Sequence, residues 1–134
     1  MTDFDFDAIK NLYQDAGWSV YLDNEDGFKQ MFESSYKVYG AYIDESLVGI
    51  VRSISDHVHI LYIQDIIVLK AFQNKGIGKQ LLNKMVSENL SIRQKVLITD
   101  ADSLSANAFY ESCGFKKSHE NNINCYIRFD NSEG

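Results

Sequence analysis

Residues 65–82 read DIIVLKAFQNKGIGKQLL, and their reading decides how the chain is organised. An apolar, β-branched run leads into Lys70, glycines follow at 76 and 78, and Ile77, Leu81, Leu82, Met85 and Val86 then recur at helical spacing to about Asn89. The pattern is a strand passing through a glycine turn into a helix. Such a turn gathers backbone N–H groups that lack intrahelical partners at the positive end of a helix dipole, where anions bind. A P-loop would need glycine at 73 and a hydroxyl at 80, but these positions hold Gln73 and Gln80. A dinucleotide fingerprint would put its third glycine at Leu81, inside a βαβ unit that the preceding strands do not make. A helix start with no ligand accounts for Gly76 or Gly78 singly, but not for both beside Gln73, Lys75 and Lys79.

Upstream, YKVYGAYI (36–43) and LVGIVRSI (47–54) flank Asp44, Glu45 and Ser46 and predict a hairpin. HVHILYIQDIIVL (57–69) predicts a third, central strand covered on both faces. Helical spacing of Phe6, Ile9, Leu12, Tyr13 and Ala16 predicts a helix over 5–16, capped by Asp3 or Asp5 and stopped by Gly17. Asp26 is the expected cap of a second helix that turns Phe28, Met31 and Phe32 inward. Downstream, KVLITD (95–100) predicts a strand, SLSANAFYESCGF (103–115) a helix closed by Gly114, and NCYIRF (124–129) a last strand. A meander followed by this alternation means an α+β, mixed α/β chain with helices packed on a mixed sheet.

With 134 residues, 45% hydrophobic and 24% charged, the chain suits one core and one domain over 1–134. No apolar run approaches the ~20 residues of a membrane span. The N-terminal MTDFDFDAIK is acidic where a targeting peptide would be basic, so a cytoplasmic protein with no membrane partner is expected. The net charge of -6 argues against a nucleic-acid partner. That charge is unevenly placed: residues 70–95 carry six basic side chains and one acidic, a local +5, leaving -11 elsewhere. Cys113 and Cys125 lack metal or redox spacing and read as reduced. His57 and His59 are expected on one strand face, and without a third ligand no metal site is expected.

DIIVLKAFQNKGIGKQLL resembles the acetyl-CoA signature of the GNAT superfamily of N-acetyltransferases, [QR]-x-x-G-x-[GA], with Gln73, Gly76 and Gly78 at the signature positions. NAFYESCGF (107–115) resembles the family's second common element, and LYQDAGW (12–18) the start of small bacterial-type members. The resemblance implies the GNAT fold, a central, mostly antiparallel twisted sheet flanked by about four helices. It implies that Gln73, Asn74, Lys75, Gly76, Ile77, Gly78 and Lys79 seat the pyrophosphate of coenzyme A. Ile66, Ile67 and Val68 would run beside the pantetheine where the sheet splays at a bulge, and the Ile67 amide is the expected oxyanion donor. Tyr110 matches the family's general acid, and Asn107 would bond the pantetheine or phosphates. Asp65, expected before the bulge, matches an acidic position used as base, or else is a structural acceptor for loop amides. Lys70 replaces the usual proline, which would loosen the turn, and the family's first strand has little room in MTDFDF.

Trp18, Tyr21, Asp23, Glu25 and Asp26 fall where the family builds its substrate wall, and aromatic faces with carboxylates suit a cation. Expected is direct transfer of acetyl from acetyl-CoA to a primary amine of a small, cationic molecule, without metal. A protein or peptide amine acetyltransferase and a non-catalytic acyl-CoA-binding module are the alternatives. INCYIRF (123–129) either pairs across a homodimer or completes one sheet.

Overall fold

The computed structural model describes residues 5–130. The chain divides into two compact units, Met1–Ile98 and Thr99–Gly134. The first opens with α1 (Phe6–Asp15), whose N-cap Asp5 accepts from the Asp7 amide at 2.9 Å. Its Ile9, Leu12 and Tyr13 are fully buried. The stretch MTDFDF, in which little room was expected for the family's first strand, lies largely outside the described residues. A 3-10 turn, Ser19–Leu22, leads to α2 (Glu25–Glu33). Asn24, not Asp26, caps α2, accepting from the Gly27 amide at 3.0 Å. Asp26 lies inside the first turn, where its charge complements the helix dipole.

Strands β1 (Val38–Ile43), β2 (Ser46–Ser55) and β3 (Ile60–Val68) form an antiparallel meander, and β4 (Gln94–Leu97) pairs with β3 in parallel. The β1–β2 turn places Asp44 and Glu45 at φ 49° and 69°, the mirror-image turn whose twist matches a two-residue hairpin. Between β3 and β4 runs α3 (Ile77–Ser87), the crossover that a parallel pair requires. Helices α1 and α2 bury Ile9, Leu12, Tyr13, Phe28 and Phe32 against Val38, Leu47, Ile50 and Ile67 of the sheet. Gly49, adjacent to Ile50 and so facing away from that cluster, lies under α3. A Cβ there would stand 3.1 Å from Leu81 Cδ1 and 3.2 Å from the Ile67 carbonyl oxygen. The missing side chain lets α3 pack close to the sheet.

The register of β2 and β3 shifts between Arg52 and Ser53, which pair with Asp65 and Ile63, so Gln64 is the extra residue of a bulge. The bulge thus precedes Asp65 rather than following it. His57 and His59 fall in the turn before β3, not on a strand face. Asp56 organises that turn, its Oδ1 accepting from the amides of Val58, His59 and Ile60 at 3.0, 2.8 and 3.1 Å.

The second unit holds α4 (Leu104–Ser112), capped by Ser103 Oγ on the Ala106 amide, with Gly114 closing it at φ 93°. A 3-10 turn, Ser118–Asn121, follows. The strand expected over 124–129 does not form. Residues 122–130 carry no regular structure, and Tyr126 and Phe129 are 91% and 68% exposed. Alternation of apolar residues gives a segment the capacity to be a strand, but only a neighbouring ladder makes it one. Among the described residues no helix is long and apolar enough to cross a membrane.

Two predictions follow from this packing. Gly49→Val forces Leu81 and the Ile67 backbone apart and should cost about 1–3 kcal/mol, read as a lower denaturation midpoint at unchanged slope. The amides of His59, Val58 and Ile60 hold the Asp56 carboxyl down at about 2. Because this lies below its unfolded value, the contribution is complete above about pH 4 and lost as pH falls through about 2. A carboxyl carbon titration by NMR with its midpoint near 4 would contradict the turn.

Candidate functional site

The glycine loop is short and tied at both ends. After β3 a 3-10 turn, Lys70–Phe72, leads through Asn74 at φ 65° to Gly76, which caps α3 at φ 84°. The first helical bond runs from the Gln80 amide to the Gly76 carbonyl at 3.1 Å, so the amides of Ile77, Gly78 and Lys79 have no carbonyl within the helix. Gln73 Nε2 donates to the Val68 carbonyl at 3.1 Å, closing the loop against the end of β3. The Lys70 amide donates to Asp15 Oδ2 at the end of α1 at 2.8 Å. A proline could not make that bond. Lys70 therefore ties the turn that its replacement of proline was expected to loosen. Lys75 Nζ stands over the Phe72 ring at 5.7 Å, and Lys79 is exposed.

Beside the loop, β3 pairs with β2 along one edge, and among the described residues no strand pairs with its other edge beyond Ile63. The Leu69 amide donates to the Val48 carbonyl at 2.9 Å. With the register Ile67↔Ile50 and Asp65↔Arg52, this phase makes residues 69, 67 and 65 the ones that exchange bonds with β2. The Ile67 amide accordingly faces Ile50, against its expected part as oxyanion donor. Ile66 and Val68 face the other edge, where the pairing with β4 ends at Ile63↔Leu97. The Gln73 bond to the Val68 carbonyl reports the same orientation.

Asp65 is 2% exposed and is held by three donors. Its Oδ2 accepts from Tyr13 Oη at 2.7 Å and Arg52 Nε at 2.8 Å, and its Oδ1 from Tyr21 Oη at 3.1 Å. Loop amides play no part. Arg52, directly opposite on β2, also donates to Ser35 Oγ at 3.2 Å and the Met31 carbonyl at 3.4 Å, and stacks over Phe32 at 5.5 Å. Burial opposes the Arg52 charge, but Asp65 outweighs it and holds the guanidinium above its usual range. Burial, then Asp65, raises the Tyr13 hydroxyl well above an ordinary phenol and raises that of Tyr21 as well. Tyr21 accepts in turn from Gln64 Nε2 at 3.3 Å, and its ring lies 6.1 Å from Trp18, which is 36% exposed. Sequence reading brought Trp18, Tyr21 and Asp65 together but missed Arg52, Tyr13 and Gln64. A lone arginine within the apolar LVGIVRSI was the available signal, since a strand buries such a charge only against a partner.

In the second unit, burial raises the Tyr110 hydroxyl, with Cys113 adding to it, so the phenol stays protonated at neutral pH. Its ring packs on Phe109 and Phe115 at 5.2 and 6.5 Å. Asn107 Nδ2 donates to the carbonyls of Asp100 and Ser103 at 3.0 and 2.7 Å, so its amide clasps the turn before α4 and only its oxygen is left for a ligand. Among the described residues no three His, Cys, Asp or Glu side chains are grouped to hold a metal. Two open grooves of about 550 and about 370 Å³ flank the β1–β2 hairpin, and neither is lined by Trp18, Tyr21 or Asp65.

Comparison with known proteins bears on this geometry. The model of the acetyltransferase (GNAT) domain matches residues 7–131. A GNAT family acetyltransferase from Streptococcus pneumoniae TIGR4 superposes with a TM-score of 0.85 at 26% identity, over 98% of this chain and 96% of that one. The aminoglycoside N-acetyltransferase AAC(6')-Iy in complex with CoA has the same fold, with a TM-score of 0.72 at 14% identity over 98% and 96% of the two chains. So does an aminoglycoside acetyltransferase from an uncultured soil metagenomic sample in complex with sisomicin, with a TM-score of 0.70 at 16% identity over 96% and 88%. No curated protein matches the sequence. The glycine loop, the mixed sheet and a family match spanning nearly the whole described chain agree: this chain belongs to the GNAT family of acetyltransferases.

Proposed function

We propose that the chain is one N-acetyltransferase domain that moves an acetyl group from acetyl-CoA directly to a primary amine of a small, cationic molecule. The observation that carries this reading is the loop from Gln73 to Lys79, where unpartnered amides at the start of α3 meet the edge of β3 turned away from β2. The family match over residues 7–131 supports treating both units as one domain. The amides of Ile77, Gly78 and Lys79, with Lys75 and Lys79 for charge, would bind the pyrophosphate. The pantetheine would lie along Ile66 and Val68 as a strand-like partner, and their amides, rather than that of Ile67, are suited to the thioester oxygen.

In the step itself the amine lone pair attacks the thioester carbon, a C–N bond forms and the carbonyl becomes an oxyanion. Collapse breaks the C–S bond. Tyr110 gives its proton to the departing thiolate and takes one back from solvent, to which the nitrogen sheds its own. Asp65 is the weaker choice for that base, because Arg52 already neutralises it and both its oxygens are occupied. Its commitment to Arg52 and two tyrosines supports a structural part. Trp18 and Tyr21, with the acidic balance outside 70–95, support a cationic acceptor, as do aminoglycoside acetyltransferases sharing the fold.

Acetyl-CoA at millimolar concentration should raise the melting temperature, and thiol release should appear with at least one of a panel of polyamines, arylalkylamines, amino acids and a lysine peptide. No thermal shift would refute donor binding, binding without release would favour a regulatory module, and release with the peptide alone would favour a protein acetylase. Gly76→Val, which strains a residue at φ 84°, should raise the KM for acetyl-CoA at least about tenfold. Tyr110→Phe should lower kcat about 10- to 100-fold at unchanged donor affinity, and an unchanged kcat would remove the general-acid role.

A further inference from the structure

Asp15 is the last residue of α1, and the last turn of that helix carries no basic side chain. A carboxylate there faces the negative end of the helix dipole, a placement that weakens α1 rather than supporting it. It also sets a negative charge at the foot of a loop whose amides and lysines suit an anion. Against these costs stands the bond it makes to the Lys70 amide, accepted by Oδ2 at 2.8 Å from 55 positions away in the sequence. Lys70 is where the turn into the loop begins. Its carbonyl accepts from the Gln73 amide at 3.4 Å, and Gln73 Nε2 donates to the Val68 carbonyl at 3.1 Å. Residue 70 thus has its N–H on α1 and its C=O on the loop.

We infer that Asp15 is a positioning residue for the donor: by holding the Lys70 amide it keeps the loop from Gln73 to Lys79 in its binding shape before acetyl-CoA arrives, and so sets the affinity for that substrate. The inference rests on the reading above that this loop seats the pyrophosphate of acetyl-CoA. Asp15 itself acts only through the backbone. With the tie cut, the root of the loop is free, and ordering it costs part of the binding energy. The charge of Asp15 works in the opposite sense, because an anion beside the loop repels a pyrophosphate. The direction in which affinity moves therefore separates a tie from a field. Leu69 lies at φ -52° and ψ 138°, the extended conformation required of a residue before proline, so Lys70→Pro fits the backbone and removes the N–H.

The acetyl-CoA Kd of the full chain, measured by calorimetry, tests the inference. Asp15→Ala should raise it about three- to tenfold, the range of one hydrogen bond, with kcat at saturating donor unchanged. Asp15→Asn, which keeps an acceptor oxygen and drops the charge, should bind at least as tightly as the parent. In Lys70→Pro, which has no N–H to hold, adding Asp15→Ala should not raise the Kd further. Amide hydrogen exchange reads the tie without any ligand: the Lys70 amide should be protected in the parent and exchange at least about tenfold faster in Asp15→Ala, while those of Leu12 and Tyr13 stay protected. A Kd unchanged or lowered in Asp15→Ala, an equal rise in the Lys70→Pro background, or an unprotected Lys70 amide in the parent would overturn the inference. A protected Lys70 amide in a parent chain that binds no acetyl-CoA at millimolar concentration would instead refute the donor reading on which it rests.

Discussion

The arrangement on the α1 and α2 side of the sheet depends on one buried ion pair, Arg52 Nε to Asp65 Oδ2 across neighbouring strands. Removing two charges from water costs several kcal/mol per ion, while their attraction at about 4 Å in a typical protein dielectric returns only about 4 kcal/mol. The pair is tolerable because its remaining groups are bonded as well. Tyr13 and Tyr21 saturate the carboxylate, and Ser35, the Met31 carbonyl and the Phe32 face occupy the guanidinium. Those partners come from α1, the 3-10 turn, α2 and the segment after it. Together these bonds tie the helical layer to the sheet at Arg52 and Asp65.

The same economy governs the loop. A run of unpaired amides is useful to an anion only if the backbone is held before the anion arrives. Gln73 is bonded to the last residue of β3 and Lys70 to the last residue of α1, so the loop is registered against both layers. The signature glutamine consequently works on the protein's own backbone. Gly76 contributes a conformation rather than a contact, since φ 84° at a helix N-cap is strained for any residue with a Cβ.

Local signals read cleanly where a single segment contains its own cause. The hairpin turn at Asp44 and Glu45 and the closing Gly114 follow from residues within a few positions of the feature. The cap of α2 was misplaced by two positions because Asn24 and Asp26 are both competent, and only the path of the chain from the preceding turn chooses between them. The bulge was misplaced because an extra residue in a ladder is a property of two strands, visible in neither alone.

By itself the sequence determined the fold family, the glycine loop and the residues from which a site would be built, because these are written in short-range spacing and in residue chemistry. Tertiary structure alone decided how those residues are used. Pairing turned the Ile67 amide toward β2, burial joined Asp65 to an arginine thirteen residues away, and residues 124–129 found no ladder and stayed out of the sheet. The physical reason is common to all three: a hydrogen-bonding group or a charge takes its role from the partner that meets it, and partners distant in sequence are brought together only by the fold.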